Sequence, residues 1–249
     1  MARDDQLIYG LHAVSARLRH HPQSVLELFV NAGRHDRRLR DALALAQARG
    51  VRVVAVEAPR LQGLVGHVGH QGIVARVAPV QSVATIESIV AEQGQRTLLL
   101  VLDGVTDPHN LGACLRVADA LGVHAVVVPK DRSAGLTPTV VKVASGAAES
   151  VPLIAVTNLA RTLGQLKDQG LEVVGASEAG SEALPEARLQ GPLAWVLGAE
   201  GEGMRRLTQE RCDRLLRIPM LGHVESLNVS VAAAICLYET RRQRLQAGA

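Results

Sequence analysis

The sequence predicts an α/β chain in two parts. A small N-terminal α/β domain covers residues 1–77, a linker covers 78–84, and a larger α/β domain with a mostly parallel sheet covers 85–249. Three observations carry that prediction. Short aliphatic runs alternate with helical stretches along the whole chain. Thr97–Leu102 is almost continuously aliphatic, the pattern of a parallel strand buried on both faces. Ala78-Pro79-Val80-Gln81-Ser82 interrupts the pattern where the charge balance changes: residues 1–79 hold eleven Lys/Arg against six Asp/Glu, and residues 80–249 hold sixteen against eighteen.

In the first part, Gly10–Arg19 reads as a helix and Val25–Val30 as a strand. Leu39, Ala42, Leu43 and Ala46 recur at helical spacing within Arg34–Arg49, and Gly50 closes that run. Val51–Val56 and Ile73–Val77 read as further strands. In the second part, Thr85–Gln93 is helical and Thr97–Leu102 is the first strand. Further strands are expected at His124–Val128, Val151–Ile154, Leu171–Val174, Leu193–Leu197 and Leu215–Ile218. Ser177–Gln190 is polar and irregular, and reads as a surface excursion. The last helix runs from about Asn228 to Gln246, with small residues at Ala232–Ala234 and a basic end at Arg241, Arg242 and Arg244.

Composition excludes several function classes. Hydrophobic residues at 47% and charged residues at 20% fit a globular chain, and no apolar run reaches transmembrane length. The opening Met1-Ala2-Arg3-Asp4-Asp5 is no signal peptide. Cys114, Cys212 and Cys236 match neither a disulfide framework nor zinc spacing, so a reducing cytoplasm is expected. His67-Val68-Gly69-His70 reads as an ordinary loop, and no metal is expected. A basic first part, with six of the nine histidines, suits a polyanion-binding module on a near-neutral body. Aromatics at 2% rule out a base-stacking platform, so RNA contact would be to phosphate and shape.

Two strand ends near the C-terminus, Leu193–Leu197 and Leu215–Ile218, run into polar loops. Ligands bind at such carboxyl ends in open α/β sheets. Gly198, Gly201 and Gly203 permit close main-chain approach in the first loop, while Ser226 and Asn228 are suitable caps after the second. The strand Thr97–Leu102 leads to Asp107 as helix cap and Pro108 at the first helical position. Asn110 and Arg116 follow on that helix, about 120° apart in azimuth at roughly 100° per residue. An amide and a guanidinium at a strand end suit an anionic, hydroxyl-bearing substrate, although taken alone Asn110 reads better as serving its own turn and Arg116 as reaching solvent. No GxxxxGK[ST] loop, GxGxxG fingerprint or GxSxG elbow occurs, which disfavours a nicotinamide oxidoreductase.

Taken together, Asp107-Pro108-His109-Asn110-Leu111-Gly112 with Arg116, Leu197–Gly203, and Ile218-Pro219-Met220 with Ser226–Ser230 resemble the three ordered motifs of the SPOUT methyltransferases. The resemblance is to the TrmH-like ribose 2'-O-methyltransferases, and to the branch that methylates a guanosine in the P-site loop of 23S rRNA. Tyr9–Val14 and His70–Ala75 resemble the L30e-like RNA-binding domain of that group. The resemblance implies a deep C-terminal trefoil knot in the catalytic domain and a homodimer with a shared active site. It implies S-adenosyl-L-methionine held near Gly198, Ile218 and Leu227, and 23S rRNA as partner. Arg116 would be the general base, Asn110 would orient it or the ribose, Glu200 would brace Asn110, Arg116 or the knot loops, and Ser226 and Asn228 would order the last loop. A guanidinium with a pKa above about 12 is a poor base, so Arg116 reads better as a holder of phosphate and developing alkoxide. His223 and Glu225 occupy loop positions where smaller residues were expected, and His223 is a minor rival base. A tRNA ribose methyltransferase and a non-catalytic RNA-binding protein are the alternatives.

Overall fold

In the computed structural model, residues 5–66, 69–80 and 84–248 are described. His67 and Val68 of the His-Val-Gly-His stretch, and residues 81–83 of the expected linker, lie outside them. In chain order the elements are β1 (Gln6–Tyr9), α1 (Leu11–His20), β2 (Val25–Asn31), α2 (Arg37–Ala48), β3 (Val53–Val56), α3 (Ala58–Val65), β4 (Ile73–Val77) and α4 (Ile86–Gln93). They continue as β5 (Leu98–Asp103), α5 (Pro108–Ala120), β6 (Ala125–Pro129), α6 (Pro138–Val143), β7 (Leu153–Val156) and α7 (Leu159–Asp168). The last are β8 (Glu172–Ala176), β9 (Glu182–Ala183), β10 (Leu193–Gly198), α8 (Arg206–Arg211), β11 (Arg214–Arg217) and α9 (Val229–Gln246).

The chain forms two compact units. The first takes residues up to 83 together with Leu136–Ser150. Its four-stranded sheet has the order β1-β4-β2-β3, with β4 antiparallel to both β1 and β2. Leu28, Ala75 and Ile8 meet α1 and α2 through Val14, Leu18, Leu39 and Ala46; Phe29 and Val74 form a second cluster with Leu61 of α3. The segment 136–150 falls within the stretch read from sequence as the second domain. It is held in the first unit by a buried ion pair, Arg17 to Glu149 at 2.6 Å, and by Lys142 over the Tyr9 ring at 5.3 Å. Gly146 lies so close to α1 that a Cβ there would sit 2.8 Å from Ala16 Cβ.

The second unit is a seven-stranded sheet of order β7-β6-β5-β10-β8-β11-β9, and every pairing in it is parallel. Its central strands are the aliphatic runs expected to be buried on both faces; all six residues of β5 are buried. Ala194 and Val196 face Leu163, Leu166 and Ile89 in one cluster. Trp195, on the other side, donates its indole N–H to Thr240 of α9 at 2.9 Å. Arg244, in the basic end of the last helix, is buried, and its guanidinium donates to the carbonyls of Arg96, Thr97 and Gly191 at 2.6–3.0 Å. The 177–190 stretch buries Leu184 and Leu189 and is tied down by Gln243, whose amide accepts from Leu189 N–H and donates to Ala187 C=O. Among the described residues no helix is long and apolar enough to cross a membrane, and no His/Cys/Asp/Glu group could hold a metal.

His124 Nδ1 accepts the Leu98 N–H at 3.0 Å, at the start of β5. Burial, reinforced by the charges of Arg244, Arg96 and Arg241, holds its pKa below the usual imidazole value. A folded-state pKa below the unfolded one means the neutral ring stabilises fully above the unfolded pKa, and that stabilisation is lost as pH falls through the lowered value. Urea unfolding compared between about pH 7.5 and 5.5 should therefore show lower stability in acid, and His124→Gln should flatten that slope. An unchanged slope in the variant would place the acid sensitivity elsewhere.

Candidate functional site

The sheet order reverses beside β5: β6 and β7 continue to one side, while β10 inserts between β5 and β8. Such a reversal opens a crevice at the carboxyl ends of the strands. A cavity of about 550 Å³ lies there, walled by residues 197–204 after β10, residues 176–179 after β8, and Ile218, Met220 and Glu225–Leu227 after β11. Gly198, Ile218, Leu227, Glu200 and Ser226 all line it.

The glycine loop is folded tightly on itself. Gly203 N–H donates to Ala199 C=O at 2.8 Å, and a Cβ on Gly198 would sit 1.9 Å from the Gly203 carbonyl carbon. Backbone approach of that kind excludes any side chain at 198. Gly201 and Gly203 instead have positive φ, 81° and 68°, with open space around them.

At the rim, Asn228 joins three separated segments. Its Oδ1 caps α9 by accepting from Ser230 N–H at 3.0 Å and Ser230 O–H at 2.7 Å. That leaves its Nδ2 to donate to Asn110 Oδ1 at 2.9 Å and to Glu200 Oε2 at 3.2 Å. Asn110 is in the first turn of α5, which Asp107 caps by accepting from His109 N–H at 2.9 Å. Asn110, Glu200 and Asn228, from stretches 28 to 118 residues apart, thus form one hydrogen-bonded chain. Arg116 does not join it: it lies on the exposed side of α5 and lines no part of the cavity. His223 is exposed and also outside the lining.

The lining carries four carboxylates, Glu178, Glu200, Glu202 and Glu225, and no Lys, Arg or His. A pocket of that sign favours a cationic ligand with polar groups that main-chain atoms can reach. Sequence reasoning missed Ser177–Ala179, because their polar, irregular stretch reads as surface. It also missed the buried Asp103, whose carboxylate accepts from Arg205 N–H at 2.9 Å and Arg205 Nε at 2.7 Å just past the glycine loop. A carboxylate ending an all-aliphatic strand was the available signal.

A second, more apolar groove of about 630 Å³ lies between α5 and α9, lined by Val117, Leu121, Val231, Ile235 and Tyr238 among others. Ile218 borders both this groove and the cavity.

The loop geometry separates two kinds of glycine. Gly198→Ala should lower stability in urea unfolding by more than the about 1–3 kcal/mol of ordinary overpacking. Gly201→Ala should cost only the about 1–2 kcal/mol of a left-handed non-glycine residue. Equal effects would mean that the fold-back at Gly198 is not a hard constraint.

Comparison with known proteins bears on the same residues. Residues 97–238 match the SpoU rRNA methylase family, and residues 7–83 match the substrate-binding domain of RNA 2'-O ribose methyltransferases. A relative from Nitrosomonas europaea, named 23S rRNA (guanosine-2'-O-)-methyltransferase RlmB, is 56% identical over 97% of this chain and 93% of its own. A solved RNA 2'-O ribose methyltransferase superposes with a TM-score of 0.84 at 29% identity, covering 98% of this chain and 90% of its own. The SpoU methyltransferase AviRb from Streptomyces viridochromogenes, solved in complex with AdoMet, has the same fold with a TM-score of 0.80 at 24% identity, over 97% of this chain and 91% of its own.

Proposed function

The chain belongs to the SpoU rRNA methylase family, and from that premise we propose that it transfers a methyl group from S-adenosyl-L-methionine to the ribose 2'-hydroxyl of a guanosine in 23S rRNA. One observation carries the reading to these residues: Asn228 ties Asn110 and Glu200 together at the rim of a cavity whose wall is mostly loop backbone. The cavity fits the cofactor in size and sign. Cofactor pockets are usually about 300–1,000 Å³, and a lining with four carboxylates and no cationic side chain suits a ligand bearing a sulfonium and an ammonium. Gly198, Ile218 and Leu227 hold the adenosine through main-chain groups.

S-adenosyl-L-methionine supplies an already activated methyl, so the protein's task is alignment and removal of the hydroxyl proton. Asn110, fixed by Asn228, orients the acceptor ribose. Glu200 braces Asn228 from the cofactor side, and Ser226 orders the last loop. Arg116 holds the adjoining phosphate and the forming alkoxide, a role that suits a group that stays charged.

Arg116 reaches the reaction only through a second copy of the chain, so the active form is a homodimer. The apolar groove between α5 and α9 supports this, with Val231, Ile235 and Tyr238 36–63% exposed and Val117, the neighbour of Arg116, in its wall. The same proposal includes a C-terminal trefoil knot. Its support is β10 inserted between β5 and β8, with β11 beyond β8 and the loops after β10 and β11 walling one cavity. The first unit acts as an L30e-like RNA-binding module, supported by its arginine excess and its substrate-binding match. Unpaired Cys114, Cys212 and Cys236 accord with a cytoplasmic setting.

Purified protein given radiolabelled cofactor and 23S rRNA fragments should label one guanosine on its ribose. Label on base atoms, or on tRNA in preference to rRNA, would overturn the assignment. Arg116→Ala should lose about 100-fold or more in turnover, as expected when a group acting at the transition state is removed, and still bind cofactor in calorimetry. Ile235→Asp should give a monomer in light scattering with turnover lost to a similar degree; an active monomer would refute the shared site.

A further inference from the structure

We propose that Asp103 is a positioning residue for cofactor binding: paired with Arg205, it holds loop 198–204 in the shape that forms the cavity wall. The inference rests on the methyltransferase reading and assigns a role to a pair that lies outside the three motifs.

Asp103 ends β5, and its register partner across the sheet is Gly198, the last residue of β10. The carboxylate therefore sits where the glycine loop leaves the sheet. Its side chain is fully buried, and both oxygens are used. Oδ2 accepts the Arg205 backbone N–H at 2.9 Å, and Oδ1 accepts from Arg205 Nε at 2.7 Å and from its terminal nitrogen at 2.5 Å. Arg205 is the residue immediately after the loop. The six residues 199–204 are consequently strung between two points set at Asp103: Gly198 by the pairing of the strands, and Arg205 by three contacts to the carboxylate.

Every residue from Leu197 to Met204 lines the cavity. The internal bond from Gly203 N–H to Ala199 C=O closes the loop, but it fixes only the loop's own fold. What fixes the loop relative to β5 is Asp103. The same displacement that would open the wall would also draw Glu200 away from Asn228, because Glu200 is the second residue of that loop and its carboxylate is 3.2 Å from Asn228 Nδ2. Cofactor affinity and rim geometry thus depend on one buried ion.

The contacts differ in kind, and the difference makes the proposal testable. Arg205→Met removes the guanidinium and keeps the backbone N–H; Asp103→Asn removes the charge and keeps one acceptor oxygen. Each should raise the calorimetric Kd for S-adenosyl-L-methionine about tenfold, the weight of one charge-assisted hydrogen bond. The double variant should be no weaker than Asp103→Asn alone, since the pair acts as a unit. In steady state the cofactor KM should rise by the same factor, with any fall in kcat at saturating cofactor accompanying that rise and not replacing it. A merely structural role would lower the melting temperature and leave the Kd of the folded fraction unchanged, and that result would overturn the proposal, as would a fall in kcat at constant KM. If Asp103→Asn does not fold, Arg205→Met gives the same readout. Wild-type protein that fails to bind the cofactor would sink the methyltransferase reading and this role with it, whereas normal binding by both wild type and variants would sink only this role.

Discussion

The arrangement of the site depends on one parallel pairing, that of β5 with β10. Six residues of each strand are in register, from Leu98 opposite Leu193 to Asp103 opposite Gly198, and the side chains of both strands are almost wholly buried. Parallel ladders gain stability from burial on both faces, and a shift in register would misplace every side chain of such a strand. Leu98, Leu100 and Leu102, like Trp195 on β10, have no exposed surface to speak of, so a slip would break packing against the helices on both sides. The register, in turn, delivers the loop carrying Asn110 and the loop carrying Glu200 to the same edge of the sheet. The aliphatic strands set their separation, and long-range polar bonds, Asp103 to Arg205 and Asn228 to Asn110 and Glu200, complete it.

Helix α9 transmits that constraint along the molecule's second unit. Its 18 residues span about 27 Å at about 1.5 Å per residue. At its start Asn228 is both helix cap and rim donor; at its end Arg244 grips the carbonyls of Arg96 and Thr97, where β5 begins. Between them Thr240 receives the Trp195 indole from β10. The helix therefore holds the beginning of β5, the middle of β10 and the active rim at once. Arg244 is a buried cation whose charge is met by carbonyl oxygens, and burial lowers its pKa. Removing those partners would leave an uncompensated buried charge, which is why such a contact specifies one docking geometry.

Much of this was legible in the sequence, and the exceptions have physical reasons. The central strands after residue 97 were readable because parallel strands buried on both faces are aliphatic, whereas β9, two residues inside a polar stretch, was not; the starts of α5 and α9 were readable because Asp107-Pro108 and Asn228 are strong local signals. Asn110, Glu200 and Asn228 could be nominated, but only as a set, since each alone is an ordinary turn or cap residue. The ion pair of Arg17 with Glu149 joins residues 132 positions apart, and no local pattern announces it; hence segment 136–150 could not be placed with the first unit from periodicity. The burial of Arg244 has no local signal, because an arginine near a helix C-terminus usually faces water, and only the nearby carbonyls of residues 96, 97 and 191 make the interior acceptable. Leu184 and Leu189, buried within an otherwise polar stretch, were hidden by their neighbours.

A transferase of this kind must hold a cation and a polyanion in contact, and the charges are arranged for that. The carboxylates of Glu178, Glu200, Glu202 and Glu225 all lie on the cavity side, where the proposed donor is positively charged. Left unscreened at the reaction point, they would repel an RNA phosphate; within a Debye length of about 8 Å at physiological salt that repulsion is felt. At the rim of the cavity, however, stand two neutral amides, Asn228 and Asn110, linked at 2.9 Å. Amides donate and accept without carrying net charge, so they can order a ribose without favouring either neighbour. Glu200, the carboxylate that touches them, spends an oxygen on the Asn228 donor at 3.2 Å. The excess of arginine in residues 1–79 would, in the proposed reaction, supply attraction for the polyanion elsewhere in the chain. In the proposed reaction, binding strength for RNA and alignment for methyl transfer would fall to different residues, with the neutral pair at the rim between the two charges.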